Sequence, residues 1–479
     1  MVGIESISRT RACASAGKGA RHALANSPRT VLVVMCVGYF LVLLDVTIVN
    51  VGLPRIASGL HASVSDLQWV VDGYALALAS LMLAGGTVGD LRGHKRMVLL
   101  GLMIFGLSSL ACSLAPDVDV LVAARALQGV GAALLLPGSL AIISRAFPND
   151  GERAKAIGIW AGIGSLALPA GPLLGGVLIA AFGWRAIFLV NVPIVVLSFA
   201  IAAAIVTESV DRYRNRLDKV GVVLGMALLF AMTFSFIEGG RVGASAPPVI
   251  GSALATVLLV VLFLLVEHHR GSEAMLPLEL FRRAEFSVAN AAAGTMNLCT
   301  LGTLFLLTLF LQSVRGDSPL AAGLELIPLF APLALIAPLA GRLSSRIGPR
   351  LPIGVGFLLS AGGLALLALA GAATSYWLLL AAFLLWGMGL GFVTPAVVGA
   401  AIAAVSRERS GLASAVNNTT RQAGGAVGIA IAGAIAGQPS SRHVFLAGFH
   451  AVALGSAVLY VMAAAVGMAL IPHRTRAVS

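Results

Sequence analysis

Fourteen apolar stretches, each about 20 residues long, follow one another along the 479-residue chain with only short polar turns between them. The hydrocarbon core of a bilayer is about 30 Å thick, which roughly 20 helical residues cross. Inside it every backbone N–H and C=O must be satisfied within its own segment, so stretches of this length are helices. The expected spans are 31–53, 69–89, 97–115, 120–145, 154–180, 184–206, 217–237, 249–266, 286–313, 321–341, 351–371, 376–404, 410–437 and 444–472. A mean hydropathy of +0.97 and 58% hydrophobic residues leave no room for a large water-soluble domain. The fold class expected is an all-α polytopic membrane protein.

The formal charge of +12 has to be read by position. With the amino terminus inside, the outer loops hold only Arg55, Arg185, Arg241, Arg315 and Arg442, and Arg125 and Arg421 fall within spans. The rest of the 32 Lys and Arg residues lie on the inner side. That bias places both termini in the cytoplasm and makes the basic excess a topology signal, with no nucleic acid partner implied. Residues 1–30 are a polar, basic tail and carry no cleavage pattern of a secretory signal. Cys13, Cys36, Cys112 and Cys299 lack paired spacing, so neither a disulfide framework nor a metal site is expected.

Two halves of the chain echo each other. Gly86, Gly93 and Lys95 recur as Gly341, Gly348 and Arg350 at an offset of 255. Gly129, Gly131 and Pro137 recur as Gly387, Gly389 and Pro395 at an offset of 258. Both copies of the first motif face the cytoplasm, so the repeats are parallel, related by an axis along the membrane normal. The expected organisation is a six-helix bundle over 31–207, two extra helices within 208–267, a cytoplasmic linker over 268–285, a second bundle over 286–472 and a tail over 473–479.

These residues resemble the Major Facilitator Superfamily, in particular its fourteen-helix drug:proton antiporter branch. The loop Gly86-Thr-Val-Gly-Asp90-Leu-Arg92-Gly93-His-Lys95 looks like the superfamily's gating loop, except that Leu91 stands where an Arg is usual. Asp45–Pro54 resembles the branch's helix 1 motif, and Arg125-Ala-Leu-Gln128-Gly129 its helix 4 motif. Gly171-Pro172-Leu-Leu-Gly175-Gly176 is similar to the antiporter motif of helix 5, and Trp184–Pro193 is characteristic of the branch. The resemblance implies proton-coupled efflux of amphiphilic drugs or antibiotics by alternating access, with the proton as coupling ion and no other cofactor. It also implies a role for Arg125 in proton coupling and for the Asp90 loop in tying the halves together on the inner side. Asp90 is then expected at the amino end of the thirteenth span, around Ser410–Ser414. A monomer is expected.

Five charged residues lie within spans: Asp45, Asp72, Arg125, Glu325 and Arg421. Each costs about 2.5–3.5 kcal/mol at a helix centre, so each needs a reason. Asp45 is flanked by Gly38 and Gly52, each two turns away on its own face, which points it into the bundle as a proton or substrate group. Arg125 either couples to it, beside Gln128 on a small-residue face, or snorkels to the outer interface. Asp72 sits near the start of helix 2, either recognising a substrate cation, as in antiseptic exporters it resembles, or favoured there by the helix dipole. Glu325 is a similar candidate. Asn417 and Arg421, in the polar run Asn417–Gln422, line the cavity or form a structural hub. Gly171–Gly176 reads physically as a kinked, close-packing segment between the halves.

There is no phosphate-binding Gly-rich loop, no zinc-protease motif and no nucleophile elbow. His94, His268, His269 and His473 read as solvated residues of the inner surface. An enzyme is not expected. The alternatives to multidrug efflux are a narrow exporter of one natural product or metabolite and, further off, a polytopic membrane enzyme.

Overall fold

The computed structural model describes residues 28–208, 218–271, 274, 276, 278–405, 410–437 and 441–471. The basic amino-terminal tail, the tail from 473, His473 and Cys13 lie outside the described residues. The described chain is helical throughout. In order, the long helices are α1 (Pro28–Leu60), α2 (Val64–Arg92), α3 (His94–Leu114), α4 (Val118–Ala146), α5 (Asp150–Phe182), α6 (Ala186–Ile205), α7 (Lys219–Val242) and α8 (Pro247–Arg270). After a 3₁₀ turn at Leu278–Arg282 come α9 (Ala284–Val314) and α10, broken at Leu326 into Pro319–Glu325 and Ile327–Ile347. The chain finishes with α11 (Arg350–Leu367), α12 (Tyr376–Ala403), α13 (Ser410–Ala436) and α14 (Arg442–Leu470).

Among the described residues, twelve of these helices are long and apolar enough to cross a membrane. Counting α2 as one span despite its 51° bend between Val64–Met82 and Ala84–Arg92 makes thirteen. That is one short of the fourteen expected. The remaining long helix is α13, whose run from Asn417 to Gln422 lowers its mean apolarity. It is sheltered by protein instead: α9, α2 and α7 all pack against it.

Several helices outrun their apolar stretches. α1 continues through Pro54 to Leu60. α2 begins at Val64 behind a capping box, in which Ser63 Oγ accepts from the Asp66 N–H and Asp66 accepts from the Ser63 N–H. The repeat is visible in the packing. Gly129 of α4 rests on the carbonyl of Tyr74 in α2, and Gly387 of α12 rests on that of Leu329 in α10. Gly131 packs on Gly101 and Phe105, and Gly389 on Gly356 and Ser360. Each second-half partner is the residue 255 positions after its first-half counterpart. α7 and α8 form a hairpin of their own, joined by a 2.8 Å Ser235–Ser252 hydrogen bond, and reach the rest through α2 and α13.

Candidate functional site

Asp45 lies well inside α1 and is fully buried. Arg125, two turns into α4, is 1% exposed and turns inward to pair with it, which excludes the snorkelling geometry. The Arg125 Nη1 donates to Asp45 and, at 2.7 Å, to Gln128 Oε1, while its Nε donates to the Val70 carbonyl at 3.0 Å. Gln128 Nε2 donates to Asp45 Oδ1 and to Ser109 Oγ, both at 2.9 Å. Asn191 of α6 completes the chain with a 3.5 Å bond to Ser109. The guanidinium stacks 4.4 Å from the Tyr74 ring centroid, and Tyr74 donates to the Val42 carbonyl. A buried ion pair of this kind is costly unless its remaining donors and acceptors are satisfied. Here four helices of one half supply that satisfaction.

The glycine argument for Asp45 holds on one side only. A Cβ at Gly52 would strike Ile187 of α6, a close helix approach, whereas nothing lies within 4 Å of the Gly38 position. Gly38 instead lines a small cavity with Val34, Met35 and Leu102. Burial of Asp45 owes more to Gln128 and Arg125 than to a glycine stripe.

A second cavity, of about 20 Å³, opens beside this network. Val46, Asn50, Tyr74 and Arg125 line it from the first half, and Leu301, Gln422 and Ile429 from the second. It has room for about one water molecule. The halves are in contact around it.

Asp72 corrects the sequence reading most. α2 begins at Val64, so Asp72 is two turns inside the helix and the cap is the Ser63–Asp66 box. Its carboxylate is 0% exposed, and neither oxygen has a hydrogen-bond partner. Glu325 is the last residue before the break in α10. It is half-buried, with Oε2 unpartnered and its carbonyl accepting from Tyr376. Asn417 turns into the α9–α13 interface and donates to Asn290 at 3.3 Å. Arg421 has an unpartnered Nε, and Gln422 beside it reaches the cavity.

The Gly86–Lys95 loop closes α2 and opens α3. Gly93 has a φ of 101°, and a Cβ there would collide with the Glu208 carboxylate. Lys95 donates from Nζ to Ala203 O at 2.8 Å, and Arg96 pairs with Glu208 at 3.5 Å. Arg92 is exposed. His94 is buried and bonds Asp90 at 3.0 Å, so it is no solvated surface residue. Of Ser410–Ser414, where Asp90 was expected, the side chains of Ser410 and Gly411 lie outside the described residues. Gly86 faces Pro137 of α4 across van der Waals contact.

The Gly171–Gly176 segment meets two partners. Gly171 and Gly175 pack on Thr47 and Ile48 of α1, while Gly176 packs on Pro319 and Leu320 at the start of α10. The Pro172 carbonyl is met by Gly323 of α10. Cys36, Cys112 and Cys299 are buried and free. Sequence reading missed Ser109 and Val70. The Ser108-Ser109 pair in an otherwise apolar α3 was the available signal, and a backbone carbonyl leaves none.

Residues 35–429 and 298–479 match the family model of the Major Facilitator Superfamily. The chain belongs to the Major Facilitator Superfamily. Relatives in the superfamily include the multidrug resistance protein Stp of Mycobacterium tuberculosis, 37% identical over 84% of this chain and 75% of Stp. The methylenomycin A resistance protein of Streptomyces coelicolor is 36% identical over 84% of each chain. The tetracenomycin C resistance and export protein of Streptomyces glaucescens is 35% identical over 86% of this chain and 76% of its own. The fold matches an inward-facing, unoccupied bacterial homologue of the human lysosomal transporter Spinster, with a TM-score of 0.67 over 93% of this chain and 97% of that one at 19% identity. A superfamily member of this kind is a multi-pass membrane transporter and not an enzyme.

Proposed function

We propose that the chain exports amphiphilic drugs or antibiotics across the cell membrane in exchange for protons, as a monomeric fourteen-span antiporter with both termini in the cytoplasm. The carrying observation is the fully buried Asp45–Arg125–Gln128 network against a cavity shared by both halves. A proton on Asp45 cancels the charge that holds Arg125. The guanidinium then keeps only Gln128 and the Val70 carbonyl, and turns toward the cavity it already lines. Deprotonation restores the pair and the network.

The halves rock apart to admit substrate, since a cavity of about 20 Å³ holds no drug-sized molecule. Asp72 takes cationic substrates, because a carboxylate buried without donors is costly as an anion and needs a proton or a cation. Arg421, Asn417, Gln128 and Glu325 supply further polar contacts as the cavity opens. The Asp90–Lys95 loop acts as the latch at the end that carries the termini, and Asp90→Ala slows turnover with little change in substrate affinity.

The test is drug/proton exchange in inside-out vesicles over a panel of cationic and neutral compounds. Asp45→Asn abolishes exchange for the whole panel while expression and insertion persist. Exchange retained by that variant overturns the coupling role. A response confined to one compound replaces multidrug efflux with narrow export.

A further inference from the structure

Asp72 is not alone in lacking a partner. Thr233 of α7 is also fully buried, and its hydroxyl has no hydrogen bond. The two helices are locked in depth by contacts near one end. Gln68 of α2 donates to the carbonyls of Ile429 and Ala430 of α13, and Gly240 of α7 packs on Ala434 of α13. Counted down each helix at 1.5 Å per residue, Thr233 comes to lie about 10 Å and Asp72 about 12 Å below the Gly240–Ala434 contact, within about one turn of each other.

Their faces agree as well. Trp69 and Leu76, three residues before and four after Asp72, share its side of α2. Trp69 packs on Phe230 and Phe234 of α7, with ring centroids 5.6 and 6.3 Å apart, and Leu76 clusters with Leu229 and Ala426. Thr233 stands between Phe230 and Phe234. Helix count and face therefore put an uncompensated carboxylate, a free hydroxyl and three aromatic rings in the same region, where α2, α7 and α13 join.

We propose that Asp72, Thr233 and the rings of Trp69, Phe230 and Phe234 form a binding site for a lipophilic organic monocation. This rests on the reading of Asp72 as a substrate-cation residue and adds the inserted hairpin as the site's other wall. The chemistry selects the ligand class. Aromatic faces attract a desolvated cation, and the carboxylate neutralises it. A hard metal ion wants six or more oxygens, and these residues offer three. The approach is from the bilayer, where amphiphilic cations accumulate. α8 is mostly lipid-facing, with 11% of its most apolar stretch buried, and the hairpin is held to the core through α2 and α13.

The experiment measures binding of ethidium, and of the neutral dye Nile red, to the purified full-length protein in lipid nanodiscs. Asp72→Asn and the double variant Phe230→Ala/Phe234→Ala each weaken ethidium binding about tenfold or more, and Thr233→Val weakens it a few-fold. Nile red binding stays within about twofold in all three. A thermal unfolding midpoint near that of the parent protein shows that each variant is folded, and Phe230→Trp/Phe234→Trp restores affinity. Ethidium affinity unchanged in the ring variants overturns the site, even if Asp72→Asn weakens it. Equal loss of ethidium and Nile red also overturns it. If Asp72→Asn leaves ethidium binding intact, the cation reading of Asp72 falls. Absence of proton-driven exchange by the parent protein removes the exporter reading and leaves the binding result standing.

Discussion

At the end of the bundle away from the Gly86–Lys95 loop, α5 meets α10 on one side of the molecule and α2 meets α13 on the other. The repeat makes these equivalent places: Gly176 corresponds to Gly433, and Gly323 to Gln68, at offsets of 257 and 255. On the α5–α10 side the contact is backbone on backbone. Gly176 sits against the Leu320 Cα and the Pro319 carbonyl, and Gly323 against the Pro172 carbonyl. On the α2–α13 side Gly433 meets the amide head of Gln68, a flexible side chain that also bonds Ile429 and Ala430. That side alone carries the unpartnered Asp72 and is covered by α7. Backbone surfaces have no rotamer to exchange, so the first seam either holds or parts as a unit. The second can rearrange in place, which suits the side where a substrate group is bound and released.

Gly323→Ala carries the largest expected effect. The new methyl would run into the Pro172 backbone, with nothing flexible to move aside. Overpacking of this sort costs about 1–3 kcal/mol. With backbone on both sides the upper half of that range applies, and placed on the state in which this end is closed it lowers the population roughly thirty- to a hundred-and-fiftyfold. Labelling of single cysteines introduced near Gly176 rises, and turnover falls by at least tenfold. Wild-type labelling and turnover would show that the seam does not bear on the cycle.

Gly433→Ala tests the other side. Its methyl meets the Gln68 amide, which rotates away at the loss of two hydrogen bonds. Bonds between membrane helices average about 0.6 kcal/mol, so the total is about 1.2 kcal/mol. Turnover drops no more than about eightfold. Damage equal to that of Gly323→Ala would break the contrast between the seams.

A third variant, Gly93→Ala, probes the opposite end. A left-handed φ and the Glu208 carboxylate both oppose a side chain there. The expected loss is about 1–3 kcal/mol, read as a lower unfolding midpoint in detergent, while Gly38→Ala, with open space around it, leaves the midpoint unchanged.

How much of this was legible depends on the kind of signal. Helix identity followed from span length, and the repeat followed from glycines whose contacts recur 255 residues later. Asp45 with Arg125 was legible because burying two charges in an apolar chain demands a partner. Asp72 was misread because an apolar count starts α2 at Trp69, whereas the capping box at Ser63 and Asp66 starts it at Val64. The polar turn before an apolar stretch is often still helix. The contribution of α7 was not legible, since Thr233 between two phenylalanines looks like any lipid-facing helix until its neighbour is known. α13 carries a polar run in mid-membrane because that run faces protein, which only packing reveals.

The smallest effect comes from single hydrogen bonds that join the halves. Gln312 Nε2 of α9 donates to the Val51 carbonyl of α1 at 2.8 Å, and Val51 in turn lies against Gly175 beside the α5–α10 seam. Gln312→Leu removes one bond and Gln68→Leu removes two, so the expected costs are about 0.6 and 1.2 kcal/mol. These translate into roughly three- and eightfold shifts toward opening at this end. The two sites share no partner, so their effects should add within about 0.5 kcal/mol. Cysteine labelling rates in the two single variants and the double variant give the cycle directly. An excess beyond that margin would mean that the Gln312 contact and the α2–α13 seam belong to one cooperative element, and that the flexible seam does not move independently of the rest.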